Sequence, residues 1–305
     1  MRYIRMKEGL TEVSVIGAGC MRIADMGLKE ADAFVRGALD LGINFFDEAD
    51  IYGRGRSEEV LGHVLAEDPS LREKMFIQSK CGIHDGVYDF SREHILKSVD
   101  GILERLHTDH IDSLLLHRPD ILMEGEEVRD AFDTLEKSGK VRSFGVSNQS
   151  PCQMDLLQSV IHQKLTCDQV QLSCAHTLMI DALLNVDMQN EAGIVRDGGV
   201  IPYVQKNQMA LQAWSPLQAG FFEGVFLNKE EYRELNETLQ KIGEKYGVDA
   251  DTIAYAWILR VPGKTQVITG TTKIERLANA AEASDIHLTR TEWYDIYKTG
   301  GHKLP

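Results

Sequence analysis

VIGAGCM, residues 15–21, admits two readings, and the choice between them decides the fold. An apolar strand running into Gly17 and Gly19 is how a dinucleotide fingerprint begins, and that fingerprint belongs to an open, doubly wound sheet. The third glycine is missing, because Arg22 stands in its place. A two-glycine turn after a strand is commonplace, so the stretch reads as a plain strand end and the rest of the chain must supply the architecture.

Working outward, short apolar runs alternate with amphipathic stretches. The strand candidates are VSVIGAG (13–19), NFFDEAD (44–50), MFIQSKC (75–81), IDSLLLH (111–117), RSFGVSN (142–148), DQVQLS (168–173), ALQAWS (210–215) and QVITGT (266–271). Between them, helical spacing aligns Ala31, Phe34, Val35, Ala38 and Leu39, then Ile95, Val99, Ile102, Leu103 and Leu106, then Val128, Ala131, Phe132 and Leu135. Ser150-Pro-Cys-Gln153 and Thr272-Lys-Ile-Glu275 have the pattern of a capping box, and Pro151 suits a first helical position. Strands separated by helices pair in parallel, because a parallel neighbour needs a crossover. Eight such units predict a closed, parallel (β/α)8 TIM barrel. The expectation is one domain over residues 1–305, with the tail TRTEWYDIYKTGGHKLP as an extra C-terminal element.

Composition narrows the function classes. With 33 basic and 47 acidic residues the formal net charge is −14, which disfavours nucleic acid or an anionic membrane surface as partner. Five cysteines form no CxxC pair, so they read as reduced thiols rather than as a disulfide framework or zinc ribbon. No apolar window has the length of a bilayer span, and the first residues lack a signal-peptide core. A cytoplasmic protein is expected, and a monomer, since no strongly apolar exposed helix face stands out. The histidines show no HxH or HExxH spacing, so no metal site is expected.

In a barrel of this kind the pocket opens where the strands end. The second run ends in Asp47, Glu48 and Asp50 with Tyr52 just beyond; the third ends in Lys80 and the fourth in His117. An ammonium beside a phenol favours the phenolate and lowers its pKa, which makes the tyrosine a proton donor. An imidazole nearby can polarise a carbonyl oxygen. Together they suit the addition of hydride and a proton to C=O. Singly, each residue has a plainer explanation: a surface lysine, a hydrogen-bonded core histidine, a packing tyrosine.

FDEADIYG, SKCG, IDSLLLHRPD, KSGKVRSFGVSN, DQVQLS, AWSPL and TTKIERL, in that order, resemble the aldo-keto reductase family over nearly the whole chain, nearest to a branch of bacterial oxidoreductases. The resemblance implies a catalytic tetrad of Asp47, Tyr52, Lys80 and His117, with Tyr52 as general acid, Lys80 as its partner and Asp47 holding Lys80. Asp50 is left as a structural acid and Glu48 as a local hydrogen-bonding residue. It implies NADP(H), with NAD(H) left open, lying extended across the barrel top. Ser147, Asn148 and Gln171 would hold the carboxamide, and Trp214 would stack on the nicotinamide. Ser215, Leu217 and Gly220 would line the pyrophosphate path; Thr272, Lys273 and Arg276 would receive the adenosine end. The family often has a basic residue and a serine where this chain has Gly270 and Thr271, which weakens the preference for NADP. The expected substrate is a small carbonyl compound, with specificity in residues 22–28, 83–91, 218–226 and the C-terminal tail. A cofactor-binding regulatory subunit with little turnover is the alternative, and a metal-dependent hydrolase built on Asp47 and His117 a remote third.

Overall fold

The computed structural model describes residues 1–305. Eight strands close into a barrel: β1 Ile16–Gly19, β2 Phe45–Asp47, β3 Phe76–Cys81, β4 Ser113–Leu116, β5 Phe144–Ser147, β6 Leu165–Gln171, β7 Ala210–Trp214 and β8 Lys264–Thr269. Each strand pairs in parallel with its sequence neighbours, and β8 returns to β1 to complete the ring. The barrel expected from the alternation of runs is the fold observed.

Helices cover the outside because their apolar faces match the sheet. In the helix Leu28–Asp40 the buried positions are Ala31, Phe34, Val35 and Ala38, and in Gly125–Lys137 they are Val128, Ala131, Phe132 and Leu135. The capping box at Ser150 is present, with the Ser150 amide donating to Gln153 Oε1 at 2.9 Å. The one expected at Thr272 is not. The Thr271 hydroxyl takes the Lys273 amide instead, and the helix starts later, at Ile274.

The first strand also differs from its sequence reading. Residues 13–19 are not one strand: Val13–Ser14 pairs antiparallel with Tyr3–Ile4, and the barrel strand begins at Ile16. The break is held by polar contacts, since Asn44 Oδ1 accepts from the Ser14 amide at 2.8 Å and Ser14 Oγ donates to the Ile16 carbonyl at 2.6 Å. This hairpin lies over the closed end of the barrel, where Met6 and Val13 pack with Phe45, Phe76, Leu115, Cys167, Ala210 and Ile268. One end of the barrel is therefore plugged with apolar side chains, leaving the strand C-terminal ends for polar ones. The C-terminal helix Arg290–Thr299 docks by Trp293 stacking on Trp257 at 4.9 Å, each indole N–H donating to the other residue's carbonyl.

Candidate active site

Above the apolar plug lies a layer of four glutamines, one each from β3, β6, β7 and β8. Gln78 and Gln169 donate to Gln212 Oε1 at 2.9 and 3.1 Å, and Gln212 donates to Gln266 at 2.9 Å. The same two glutamines donate to Asp47 Oδ1, at 2.7 and 2.9 Å. Buried amides are favourable only when paired, and here the network fixes the carboxylate of Asp47 from below. Strand sequences alone did not reveal this layer, although a glutamine at an inward position in four apolar strands is its visible trace.

The other oxygen of Asp47 binds Lys80 Nζ at 2.7 Å. Lys80 is fully buried, and its remaining hydrogens reach the Glu48 carbonyl at 2.8 Å and the Tyr52 hydroxyl at 3.2 Å. All three donors of the ammonium are thus engaged. Tyr52 is set by a tight reversal: Gly53, Arg54 and Gly55 all have positive φ, of 58, 61 and 90°. A Cβ at Gly53 would stand 2.7 Å from Ala24 Cβ, so the turn depends on glycine there. His117 approaches Tyr52 edge on, with ring centroids 6.0 Å apart. The four residues from successive strand ends do converge.

Charge states follow from burial and neighbours. Burial by itself lowers the Lys80 pKa, but the Asp47 carboxylate and the Tyr52 oxygen outweigh it, and the net shift is upward, so the ammonium stays charged. Burial likewise raises the Tyr52 phenol, and the nearby Lys80 charge opposes this without reversing it. The sequence expectation of a lowered tyrosine pKa is corrected in sign, because desolvation exceeds the attraction of the ammonium. Burial, aided by the positive charges of Lys80 and Arg118, holds His117 well below its ordinary value, so the imidazole is neutral. A protonated phenol on a charged lysine, facing a neutral imidazole, can donate a proton to an oxygen placed between them.

Glu48 and Asp50 point into the wall behind the tetrad. Glu48 is not the local hydrogen-bonding residue expected: its carboxylate oxygens have no partner, and the nearby Ser57 hydroxyl is given to the Cys20 carbonyl at 2.7 Å. Burial and then Glu58 push its carboxyl well above the ordinary range. Asp50 is raised to about 7 by burial and by Glu58.

The tetrad sits in a cavity of about 1480 Å³, larger than the roughly 300–1000 Å³ typical of small-ligand pockets. Asp47, Tyr52 and His117 line it, and Lys80 stands behind Tyr52. Of the other expected residues, Ser147, Asn148, Trp214, Ser215, Leu217 and Arg276 line it, whereas Gln171, Gly220, Thr272 and Lys273 do not. Gln169, two residues before Gln171 on the same face of β6, takes the lining position, and at the helix entry Gly270 and Thr271 do so. The loops at 22, 83–88 and 218–225 contribute, but no residue of the C-terminal tail reaches the cavity. The tail turns aside, where His302 bonds the Cys174 carbonyl at 3.2 Å. Beside the cavity-lining loop at 83–88, though none of the three lines the cavity, His84, Asp89 and His94 bring potential ligand atoms within 4.8 Å of one another, a grouping that sequence spacing does not display.

Comparison with known proteins agrees with this architecture. The sequence model of the aldo/keto reductase family matches residues 15–299. The oxidoreductase YdhF of Escherichia coli is 37% identical over 307 residues, covering 96% of both chains. A 6-dehydroglucose reductase of Agrobacterium fabrum is also 37% identical, over 97% of both. Among solved structures, a thermostable aldo-keto reductase in complex with the inhibitor epalrestat superposes with a TM-score of 0.78 at 26% identity, covering 98% of this chain and 100% of that one.

Proposed function

The chain belongs to the aldo/keto reductase family, and from that premise we propose that it is an NADP(H)-dependent reductase of aldehyde or ketone carbonyls with Tyr52 as the proton donor. The observation that carries the proposal is Lys80 Nζ held between Asp47 Oδ2 at 2.7 Å and the Tyr52 hydroxyl at 3.2 Å, at the floor of a cavity large enough for a dinucleotide and a substrate together. When bound, the reduced nicotinamide supplies the hydride.

The residues present fit such a cofactor. Trp214 offers a flat ring at the end of β7, and its Nε1 donates to Asn148 Oδ1 at 3.2 Å, which fixes the ring plane. Asn148 in turn donates to Ser147 Oγ at 2.7 Å. An amide side chain used once at each end keeps a free N–H and a free lone pair, enough to meet a carboxamide. Asn148 and Ser215, at the ends of β5 and β7, both have left-handed backbone, φ 58 and 50°. Unusual backbone at two cavity-lining strand ends is characteristic of functional sites.

The protein's own part in the reaction is positioning and proton delivery. Tyr52 and His117 would hold the carbonyl oxygen, Tyr52 would pass it the phenolic proton, and the Lys80 ammonium would stabilise the phenolate left behind. Asp47 keeps Lys80 charged and in place.

Arg276, exposed and free of protein hydrogen bonds, supports NADP(H) by offering its guanidinium to a 2′-phosphate. NAD(H) is the second reading, favoured by Asp249 and Asp251, which line the same end of the cavity and are held by Asn279 Nδ2 at 3.0 and 3.2 Å. Carboxylates there would suit a free ribose hydroxyl. Titrating the purified protein with NADPH and NADH through intrinsic tryptophan fluorescence, then following cofactor oxidation with a panel of aldehydes and ketones, tests class and cofactor together. The expected result is tighter NADPH binding and turnover on at least one carbonyl; binding without turnover on any would favour the regulatory-subunit alternative.

A further inference from the structure

Three arginines line the cavity, and Arg118 differs from the other two. Arg22 donates to the Gly270 carbonyl at 3.1 Å, and Arg276 lies exposed at the outer end. Arg118 is half-buried and follows His117 directly, yet its guanidinium has no hydrogen bond or ion pair with any protein group. No carboxylate is among the groups that act on its charge, and the acids of the site and of its own loop are engaged elsewhere. Asp47 is bound to Lys80, and Asp120 accepts from the Phe90 and Leu122 amides at 2.9 and 2.8 Å.

What surrounds Arg118 instead is aromatic. Its Cζ stands 5.7 Å from the Trp214 ring and 5.5 Å from the Phe221 ring, and those rings meet edge to face with centroids 6.1 Å apart. Ring faces attract a cation, but they replace only part of the hydration that burial removes. Burial accordingly lowers the Arg118 pKa, and Tyr88 and Tyr52 oppose this without reversing it. A guanidinium presents a planar fork that matches a carboxylate or phosphate. Arg118 shares the cavity lining with His117 and Tyr52, and its charge acts on both groups, so an anion on Arg118 lies near an oxygen held by that pair.

We propose that Arg118 selects the substrate: it receives an oxyanion, carboxylate or phosphate, carried by the same molecule whose carbonyl lies between Tyr52 and His117. This rests on the reductase reading above and narrows its substrate class to anionic carbonyl compounds. The protein is acidic overall, so this unpaired cation beside the reacting centre is a local exception to the field around it.

The test compares matched aldehydes with and without the anion: succinic semialdehyde against butanal, and glyceraldehyde 3-phosphate against glyceraldehyde. Wild type, Arg118→Gln and Arg118→Lys are assayed with the preferred cofactor. Wild type should favour at least one anionic partner by tenfold or more in kcat/KM, and the favoured pair identifies carboxylate or phosphate. Arg118→Gln should erase that preference, chiefly through KM, and Arg118→Lys should restore part of it. An equal loss on charged and neutral partners, or a wild-type preference for the neutral ones, overturns the proposal. So does a tenfold weakening of NADPH binding in Arg118→Gln, which would make the cofactor the source of the anion. If no aldehyde is turned over, the reductase reading fails separately. Succinate and inorganic phosphate titrated into the protein with NADP⁺, read by isothermal titration calorimetry, then decide on Arg118 alone: binding at least tenfold weaker in Arg118→Gln sustains its role, and equal binding rejects it.

Discussion

The two ends of the cavity are built on opposite principles. At the inner end Asp47, Lys80 and Tyr52 are joined by contacts of 2.7 and 3.2 Å, with two glutamines bracing Asp47 from below. At the outer end Arg276 has no protein partner, and the acids Asp249 and Asp251 share one amide from Asn279. The inner end is organised by the protein before anything binds, as the proposed proton transfer requires. The outer end is a set of exposed and half-buried charges that a ligand must complete, which on the proposed reading would let cofactor preference vary without disturbing the chemistry.

Removing the lysine tests the inner end most severely. Lys80→Met leaves the Asp47 carboxylate buried without its counter-charge, and about 3–5 kcal/mol of stability should be lost. A urea denaturation curve reads this directly; a loss under about 1 kcal/mol would mean that the inner end is not preorganised as described.

A smaller effect is expected from the acids behind the tetrad. Asp50, raised to about 7, keeps its proton in the folded chain where the unfolded chain has already lost it, near pH 4. Between those values the folded state binds the extra proton, so this group's contribution to stability falls as pH rises through the window. Asp50→Asn cannot titrate. It should flatten that fall and gain on the order of 2 kcal/mol at pH 8, with little change at pH 4. Thermal melts of both proteins across that range check the sign.

At the outer end, Arg276→Ala should weaken NADPH about tenfold, or about 1.4 kcal/mol, and leave NADH nearly unchanged. Equal effects on both cofactors would remove the 2′-phosphate from the account. The smallest expected effect is an absence of change. Because His117 is held well below its ordinary pKa, kcat/KM should show no inflection from this residue between pH 6 and 8.

What the sequence disclosed follows the same division. The eight strands were legible because each is a short apolar run ended by polar residues; that Asp47, Tyr52, Lys80 and His117 stand near three successive strand ends was legible too, while their choice as a set came from the resemblance to the family. Less legible was whatever depends on the neighbours of a side chain. Gln78, Gln169, Gln212 and Gln266 each read as one polar residue in an apolar strand until the barrel closes them into a layer. Tyr52 looked acidified by Lys80 until desolvation was counted, and Glu48 looked hydrogen-bonded until its surroundings were known. The split of residues 13–19 turns on Asn44, thirty positions from Ser14. The tail looked like a pocket wall because nothing local says that Trp293 will dock on Trp257.

The most direct test of the central claim is the Tyr52→Phe variant, assayed for kcat on the best carbonyl substrate and for NADPH affinity in the same preparation. Loss of the phenolic proton alone should lower kcat by about 10²- to 10⁴-fold while the dissociation constant stays within about threefold of wild type. A kcat within about threefold of wild type would contradict the assignment of Tyr52 as proton donor.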